Sequence, residues 1–131
     1  ETAYLTLIDD SYNANPDSMK CGIDSLVKMP GRHVCIFGDM LELGENSAQM
    51  HRSVGAYARE RGIDLVLSSG KLAAEICRGA GDRGVHFDNN AELIAALGEY
   101  IRPGDAVLVK ASRGMHLEEA AEALKALGEH I

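Results

Sequence analysis

The sequence lacks a long apolar run, and it lacks a surplus of positive charge. Every apolar run is far shorter than the roughly 20 residues that a membrane-spanning helix needs, and no signal-peptide pattern opens the chain. The 13 Lys and Arg residues are outnumbered by 20 Asp and Glu residues, which gives a formal net charge of −7. A chain this acidic is not expected to bind a nucleic-acid backbone or an anionic membrane.

Cysteine pairs and metal-ligand patterns are also missing. Cys21, Cys35 and Cys77 are widely spaced, and no Cys-x-x-Cys occurs. Each lies in a segment with apolar periodicity, so we predict three buried free thiols in a reducing cytoplasm. The five histidines lack ligand-like spacing, and we expect no metal site in this chain.

The chain shows no linker, low-complexity tract or internal repeat, and its 131 residues predict one domain. Apolar runs alternate with helical patterns throughout. The predicted strands are Tyr4–Ile8, His33–Phe37, Asp64–Leu67, Val85–Phe87 and Ala106–Val109, and the helical patterns cover residues 19–27, 50–58, 72–76, 93–97 and 117–127. This alternation predicts an α/β fold: a Rossmann-like, open, mainly parallel sheet of five or six strands with helices on both faces.

The sequence DDSYNANPDS, which follows the first apolar run, crowds carboxylates and side-chain amides into one strand-to-helix turn. Pro16 suits the first helical position and Asn15 suits the N-cap, so helix capping explains these two residues. Capping does not explain Asp10, Tyr12 and Asn13. In an open α/β sheet this turn lies at the carboxyl end of a strand, where ligands bind. A ligand-facing role and a purely structural role both remain open from the residues alone.

Two further polar segments follow the second and fifth strands. Right-handed crossovers place every strand-to-helix loop at one edge of the sheet, so we expect all three segments to converge there. Lys110 ends a buried apolar strand, which is costly unless its ammonium reaches solvent or an anion. Ser112 and Arg113 add a hydroxyl and a fork-shaped donor that suit carboxylate or phosphate. This group therefore predicts an anion-binding site.

Other polar residues have two interpretations. Glu42 and Glu45 precede a helix, whose positive end favours acidic residues without any ligand. His51, one turn into that helix, either lies on the surface or faces a site. The segment from Gly79 to Gly84 matches G-x-G-x-x-G, but it follows a helix and precedes a strand, so we predict a helix-ending turn. The chain contains no phosphate loop that would bind ATP by itself.

The three polar segments together resemble the Mur ligase family, in its branch that adds D-alanyl-D-alanine to UDP-N-acetylmuramoyl-tripeptide. The resemblance rests on DDSYNANPDS, on GDMLELGE followed by His51 and Gly55, and on LVKASRGM followed by Glu118. These motifs occur in the family's order and span nearly the whole chain. Ala111 stands where the family pattern usually has glycine, and a Cβ there can narrow the approach of a ligand to the backbone.

The resemblance implies that residues 1–131 are the C-terminal domain of an ATP-dependent amide ligase. The chain begins at Glu1 and enters a predicted strand almost at once, as a domain cut from a longer protein would. In this family ATP phosphorylates the tripeptide carboxylate, and the amine of D-alanyl-D-alanine displaces phosphate from the acyl phosphate. ATP and Mg²⁺ are held mainly by a central domain, so the isolated chain is expected to be inactive. The implied partners are the N-terminal and central domains and the two substrates.

Carried onto this chain, the resemblance implies two sets of binding residues at the carboxyl edge. Those expected on the nucleotide side are Asp10, Tyr12, Asn13 and Asn15. Those expected on the substrate side are Lys110, Ser112 and Arg113 for the dipeptide, with Asp39, Glu42 and His51 in or near a loop that closes the cleft. No catalytic residue or metal ligand is implied within the chain.

Two alternatives compete with this interpretation. A phosphorylation-receiver module has a similar length, paired acids after its first strand and a lysine after its fifth. It also needs an aspartate at the end of the third strand, where this chain has Leu67, Ser68 and Ser69. A folate polyglutamylating ligase shares the expected architecture, but DDSYNANP with LVKASRGM favours the cell-wall branch.

Overall fold

Five strands and five α-helices alternate in the computed structural model, which describes residues 6–10, 15–40, 44–111 and 117–129. The strands are β1 (Thr6–Asp10), β2 (His33–Phe37), β3 (Leu65–Ser69), β4 (Gly84–Phe87) and β5 (Ala106–Lys110). The helices are α1 (Pro16–Leu26), α2 (Ser47–Glu60), α3 (Ala74–Ala80), α4 (Asn90–Tyr100) and α5 (Glu118–Glu129). Short 3₁₀ turns cover Gly44–Asn46 and Gly81–Arg83.

The strands form one five-stranded sheet in the order β1-β5-β2-β3-β4, and every pairing is parallel. The predicted fold class is therefore confirmed. The first strand ends two residues later than predicted, because its pairing with β5 continues to Asp10 opposite Lys110. Asp10 thus ends a strand, whereas the sequence pattern had placed it in the following turn.

Successive residues of the central strands point to opposite faces of the sheet, as a pleated strand requires. Ala106 and Leu108 of β5 belong to the core formed with α1, α2 and α3. Val107 and Val109 of the same strand pack in a second core with α4 and α5. Because both faces are covered, β5 is buried along its whole length, which explains its nearly continuous apolar sequence.

The helix start predicted from Asn15 and Pro16 is confirmed. Asn15 and Ser18 form a capping box: the Asn15 side-chain oxygen accepts from the Ser18 amide at 2.9 Å, and the Ser18 hydroxyl accepts from the Asn15 amide at 3.0 Å. Asn89 caps α4 by accepting from the Glu92 amide at 2.9 Å. Gly81 follows the last residue of α3 with φ of 67°, so the glycine-rich segment is the predicted helix-ending turn.

The prediction of three buried thiols is confirmed for Cys35, holds only in part for Cys77 and is wrong for Cys21. All three are free, Cys35 is buried and Cys77 is half-buried, but Cys21 is exposed. The inward face of α1 is set by Met19 and Ile23, which are fully buried. Cys21 lies two residues from each, about 200° around the helix, and so faces outward.

Candidate functional site

The ends of β1, β5 and β2 lie side by side at the carboxyl edge of the sheet. Lys110, the last residue of β5, has Asp10 of β1 and Phe37 of β2 as its Cα partners on either side. The three segments that carry the motifs therefore leave adjacent strands, and the predicted convergence is confirmed. β1 and β2 lead to helices on one face, whereas β5 leads to α5 on the other. Both flanks of β5 are thus topological switch points, where open α/β sheets bind ligands.

Lys110 is the buried cation at the centre of this edge, with 3% of the residue exposed. The aliphatic part of its side chain lies under α1, since a Cβ placed on Gly22 would be 3.5 Å from the Lys110 Cδ. A side chain on Gly22 would first meet Leu108 of the same strand, whose Cδ2 lies 2.9 Å from the Cβ position. A charged ammonium at this depth is costly unless anionic or hydrogen-bonding groups surround it. The position therefore favours negative charge close to the end of β5.

Ala111, which replaces the family's usual glycine, is fully buried. It belongs to the core between the sheet, α4 and α5, together with Val109 and Leu117. Its methyl group is therefore part of the packing on the face opposite α1.

Asp39 fastens the segment that follows β2. The Gly38 amide donates to the Lys110 carbonyl at 3.1 Å, which extends the contact between β2 and β5 by one residue. The next residue, Asp39, is 6% exposed, and its Oδ1 accepts from the Ala73 amide at 2.7 Å, just before α3. A carboxylate at the start of a helix accepts a hydrogen bond from an otherwise unpaired N–H, and the helix dipole favours its negative charge.

His51 is fully buried, so the alternative that it lies on the surface is wrong. Its Nε2 accepts from the Met40 amide at 2.9 Å, and its Nδ1 lies 2.7 Å from the Ser47 carbonyl oxygen. A carbonyl oxygen only accepts, so Nδ1 carries the proton and the ring is neutral. Direct contact between His51 and a substrate stays a prediction.

The remaining predicted residues are only partly described. Asn15 is exposed at the start of α1, with its side-chain oxygen used in the helix cap. The backbone of Asp10 lies at the edge through its pairing with Lys110. The predicted residues that lie outside the described residues are Tyr12, Asn13, Glu42, Ser112 and Arg113.

The sequence analysis missed a polar pair at the same edge. The Ser69 hydroxyl at the end of β3 donates to the Asn90 side-chain oxygen at 2.7 Å, at the start of α4. β3 leads to α3 and β4 leads to α4 on opposite faces, so this pair marks another switch point. The two serines that directly follow the third predicted strand were the available signal.

Among the residues that the structure describes, no group of three or more His, Cys, Asp or Glu side chains could hold a metal ion. Within the same residues, no helix has both the length and the apolar character that crossing a membrane demands.

Comparison with known proteins identifies the family to which this chain belongs. Residues 1–113 match the family described as Mur ligase, glutamate ligase domain, and the chain belongs to this family. The family resemblance inferred from the three motifs is thereby confirmed.

Its relatives include ligases of the D-alanyl-D-alanine-adding branch. The chain is 46% identical over 91 residues to UDP-N-acetylmuramoyl-tripeptide–D-alanyl-D-alanine ligase of Escherichia coli (strain K12), a match covering 70% of this chain and 20% of the relative. It is 40% identical over 115 residues to the enzyme of the same name from Bacillus subtilis (strain 168), covering 82% of this chain and 25% of the relative. The chain thus spans about a fifth to a quarter of the length of these relatives.

Solved structures agree with this assignment. MurF ligase from Thermotoga maritima in complex with ADP superposes with a TM-score of 0.85 at 28% identity, covering 98% of this chain and 30% of that one. MurF from Acinetobacter baumannii superposes with a TM-score of 0.84 at 32% identity, covering 95% of this chain and 29% of that one. These findings do not favour the receiver or the folate ligase alternative.

Proposed function

We propose that this chain is the C-terminal domain of a cytoplasmic, ATP-dependent amide ligase of peptidoglycan precursor synthesis. The complete enzyme would add D-alanyl-D-alanine to UDP-N-acetylmuramoyl-tripeptide. The observation that carries the proposal is the meeting of three family motifs at adjacent strand ends, around the buried Lys110. Relatives that bear this activity in their names share 40–46% of the aligned residues, which supports the same substrates.

The chain's own residues would bind and orient the substrates and would not activate the tripeptide carboxylate. When bound, ATP with Mg²⁺ supplies the phosphoryl group that activates the tripeptide carboxylate. We assign both mainly to a central domain outside this chain, because the sequence has no phosphate loop. The turn after β1 would face the nucleotide through Asp10, Tyr12, Asn13 and Asn15. Since the side-chain oxygen of Asn15 is used in the helix cap, its amide group would make that contact.

We assign recognition of the incoming dipeptide to the end of β5. A free carboxylate requires cationic or hydroxyl partners, and Lys110, Ser112 and Arg113 supply both kinds. The position of Lys110 between two switch points supports this assignment. Glu42 and Asp39 would belong to the neighbouring loop that closes the cleft, since shielding from water protects an acyl phosphate.

Kinetics of the complete ligase test this assignment through Lys110→Met, which keeps an apolar stem in the buried position but removes the charge. We expect the KM for D-alanyl-D-alanine to rise about ten- to a hundredfold, the effect of losing one charged hydrogen bond. Arg113→Ala should act in the same direction, and the KM for ATP should stay unchanged in both variants. Lys125→Met is the matched control, because that side chain is 45% exposed on α5.

Two outcomes would contradict the proposal at different levels. If both variants are folded and bind the dipeptide normally, the carboxylate site is not at the end of β5. If the reading frame upstream of Glu1 encodes no phosphate loop, or if the complete protein forms no amide bond with these substrates, the ligase function itself is wrong.

A further inference from the structure

We infer that His51 is a positioning residue that holds the segment Gly38–Met40, here called the β2 stem, against the end of β5. No contact between His51 and a substrate is required for this role. The inference has a structural part, which concerns the hydrogen bonds of the ring, and a kinetic part, which rests on the proposed function.

The β2 stem is fastened to a different element at each of its three residues. Gly38 donates its amide to the last carbonyl of β5 at 3.1 Å. Asp39 accepts through its carboxylate from the Ala73 amide at 2.7 Å, at the start of α3. Met40 donates its amide to His51 of α2 at 2.9 Å, and its own side chain is fully buried in the core. The stem therefore has little freedom to move without breaking one of these contacts.

A single imidazole joins both ends of the connection between β2 and α2. Its Nε2 bonds to Met40 on the strand side, and its Nδ1–H donates to the Ser47 carbonyl on the helix side. The ring and Met40 are fully buried, so no solvent is available to replace the bond to the Met40 amide, whereas Ser47 is partly exposed. Only the neutral tautomer with the proton on Nδ1 satisfies both partners. Loss of the ring would leave the buried Met40 amide without its acceptor, which is costly.

The position of the stem matters because it adjoins the centre of the carboxyl edge. Phe37, immediately before the stem, is the Cα partner of Lys110, and the stem's first amide bonds to the Lys110 carbonyl. A displaced stem would therefore disturb the residue to which we assign dipeptide binding. A misplacement of about 1 Å is enough to cost a large factor in rate when the reacting groups must be aligned.

Two substitutions separate the two bonds of the ring. In His51→Gln, the longer side chain places its oxygen near the position of Nε2 and can still accept from Met40. In His51→Asn, the shorter side chain can donate to the Ser47 carbonyl but does not reach Met40. We expect amide hydrogen exchange at Met40 to be about tenfold faster or more in His51→Asn, and close to wild type in His51→Gln. Equal exchange in wild type and His51→Asn would overturn the structural part.

The wild-type protein provides a test that needs no substitution. Long-range proton–nitrogen correlation spectra of the His51 ring should show a protonated Nδ1 and an unprotonated Nε2 at neutral pH. A ring protonated on Nε2 would overturn the inference, because it could not accept from Met40. The measurement decides the structural part even if His51→Asn fails to fold.

Kinetics of the complete ligase test the positioning role. We expect His51→Asn to lower kcat/KM for the dipeptide about tenfold, with His51→Gln close to wild type and the KM for ATP unchanged. If Lys110→Met raises the dipeptide KM but His51→Asn changes no kinetic constant, the positioning role is wrong and the proposed function stands. If neither variant affects the reaction with the dipeptide, the assignment to this edge fails as well.

Discussion

At the scale of single residues, the environments of the three cysteines differ more than their sequence contexts suggest. Cys35 is fully buried in β2, and desolvation raises the pKa of its thiol far above the ordinary value. Burial also raises the pKa of Cys77, although a hydrogen bond with Ser68 opposes the shift. Cys21 is exposed on α1. A thiol must be accessible to react, and Cys21 is the exposed one of the three.

We therefore expect one thiol to react rapidly with a thiol reagent in the native protein. Cys21→Ser should abolish that rapid phase, and denaturant should expose the remaining thiols to reaction. With a thiol reagent that releases a chromophore, absorbance at about pH 8 counts the thiols that have reacted and gives their reaction rates. A rapid phase that survives in Cys21→Ser would mean that Cys35 or Cys77 reacts as readily as an exposed thiol, contrary to the burial of Cys35 and the partial burial of Cys77.

At the scale of elements, α2 and α3 are packed backbone to backbone through two glycines. A Cβ on Gly55 would lie 1.8 Å from the Ile76 carbonyl oxygen, and one on Gly79 would lie 2.0 Å from the Arg52 carbonyl oxygen. The close approach keeps α2, which carries His51, beside the start of α3, which bonds Asp39. The glycines thus support both side chains that fasten the β2 stem.

Gly55→Ala should force the two helices apart, because a backbone carbonyl cannot rotate away as a side chain can. We expect a loss of about 3 kcal/mol in the free energy of unfolding, measured by urea denaturation. Gly98→Ala in α4 is the control, since a Cβ there meets nothing within 4 Å. That variant should gain up to about 1 kcal/mol from helix propensity. Similar stabilities for the two variants would contradict the observed helix packing.

At the scale of the whole molecule, the two edges of the sheet differ in their polar groups. The carboxyl edge holds the proposed ligand-binding residues. At the opposite edge, Arg32 lies just before β2 and Asp105 just before β5. The Arg32 guanidinium donates to the Asp105 carboxylate at 3.0 Å from Nε and at 2.8 Å from Nη2. Asp105 is 2% exposed and also accepts from the Arg102 amide at 2.8 Å, while Arg32 donates to the Tyr100 carbonyl as well. The hydrogen bond to Asp105 raises the pKa of Arg32, so the guanidinium stays charged.

Arg32→Met should leave the buried Asp105 carboxylate without its cation and lower the free energy of unfolding by about 3 kcal/mol. The matched control is Arg61→Met, which breaks a pair with Asp24 whose side chains are each 42% exposed. That loss should stay below about 1 kcal/mol. Urea denaturation gives both values. A loss for Arg32→Met no larger than the control's would show that the stability of the fold does not depend on this pair. The dipeptide KM should not change, because the pair lies at the opposite edge.

Local patterns were enough to predict the fold class, the cap of the first helix and the shared edge of the three motifs. Alternating strand and helix periods are set by neighbouring residues, and Asn15 with Pro16 signals a helix start through contacts a few residues away. The common edge follows from the handedness of crossovers and requires no knowledge of packing.

The tertiary structure decided what depends on contacts between distant segments. The insertion of β5 between β1 and β2 places Lys110 at the centre of the edge, and no periodicity encodes strand order. The same holds for His51, whose helical position alone allowed a surface or a site, and for Asp39, whose partner Ala73 lies 34 residues away. The sequence by itself therefore determined the family, the class of fold and the edge of the sheet at which the three motif-bearing strands end. Only the packing of helices and strands decided which side chains hold that edge in place, because hydrogen bonds between remote segments exist only after those segments have met.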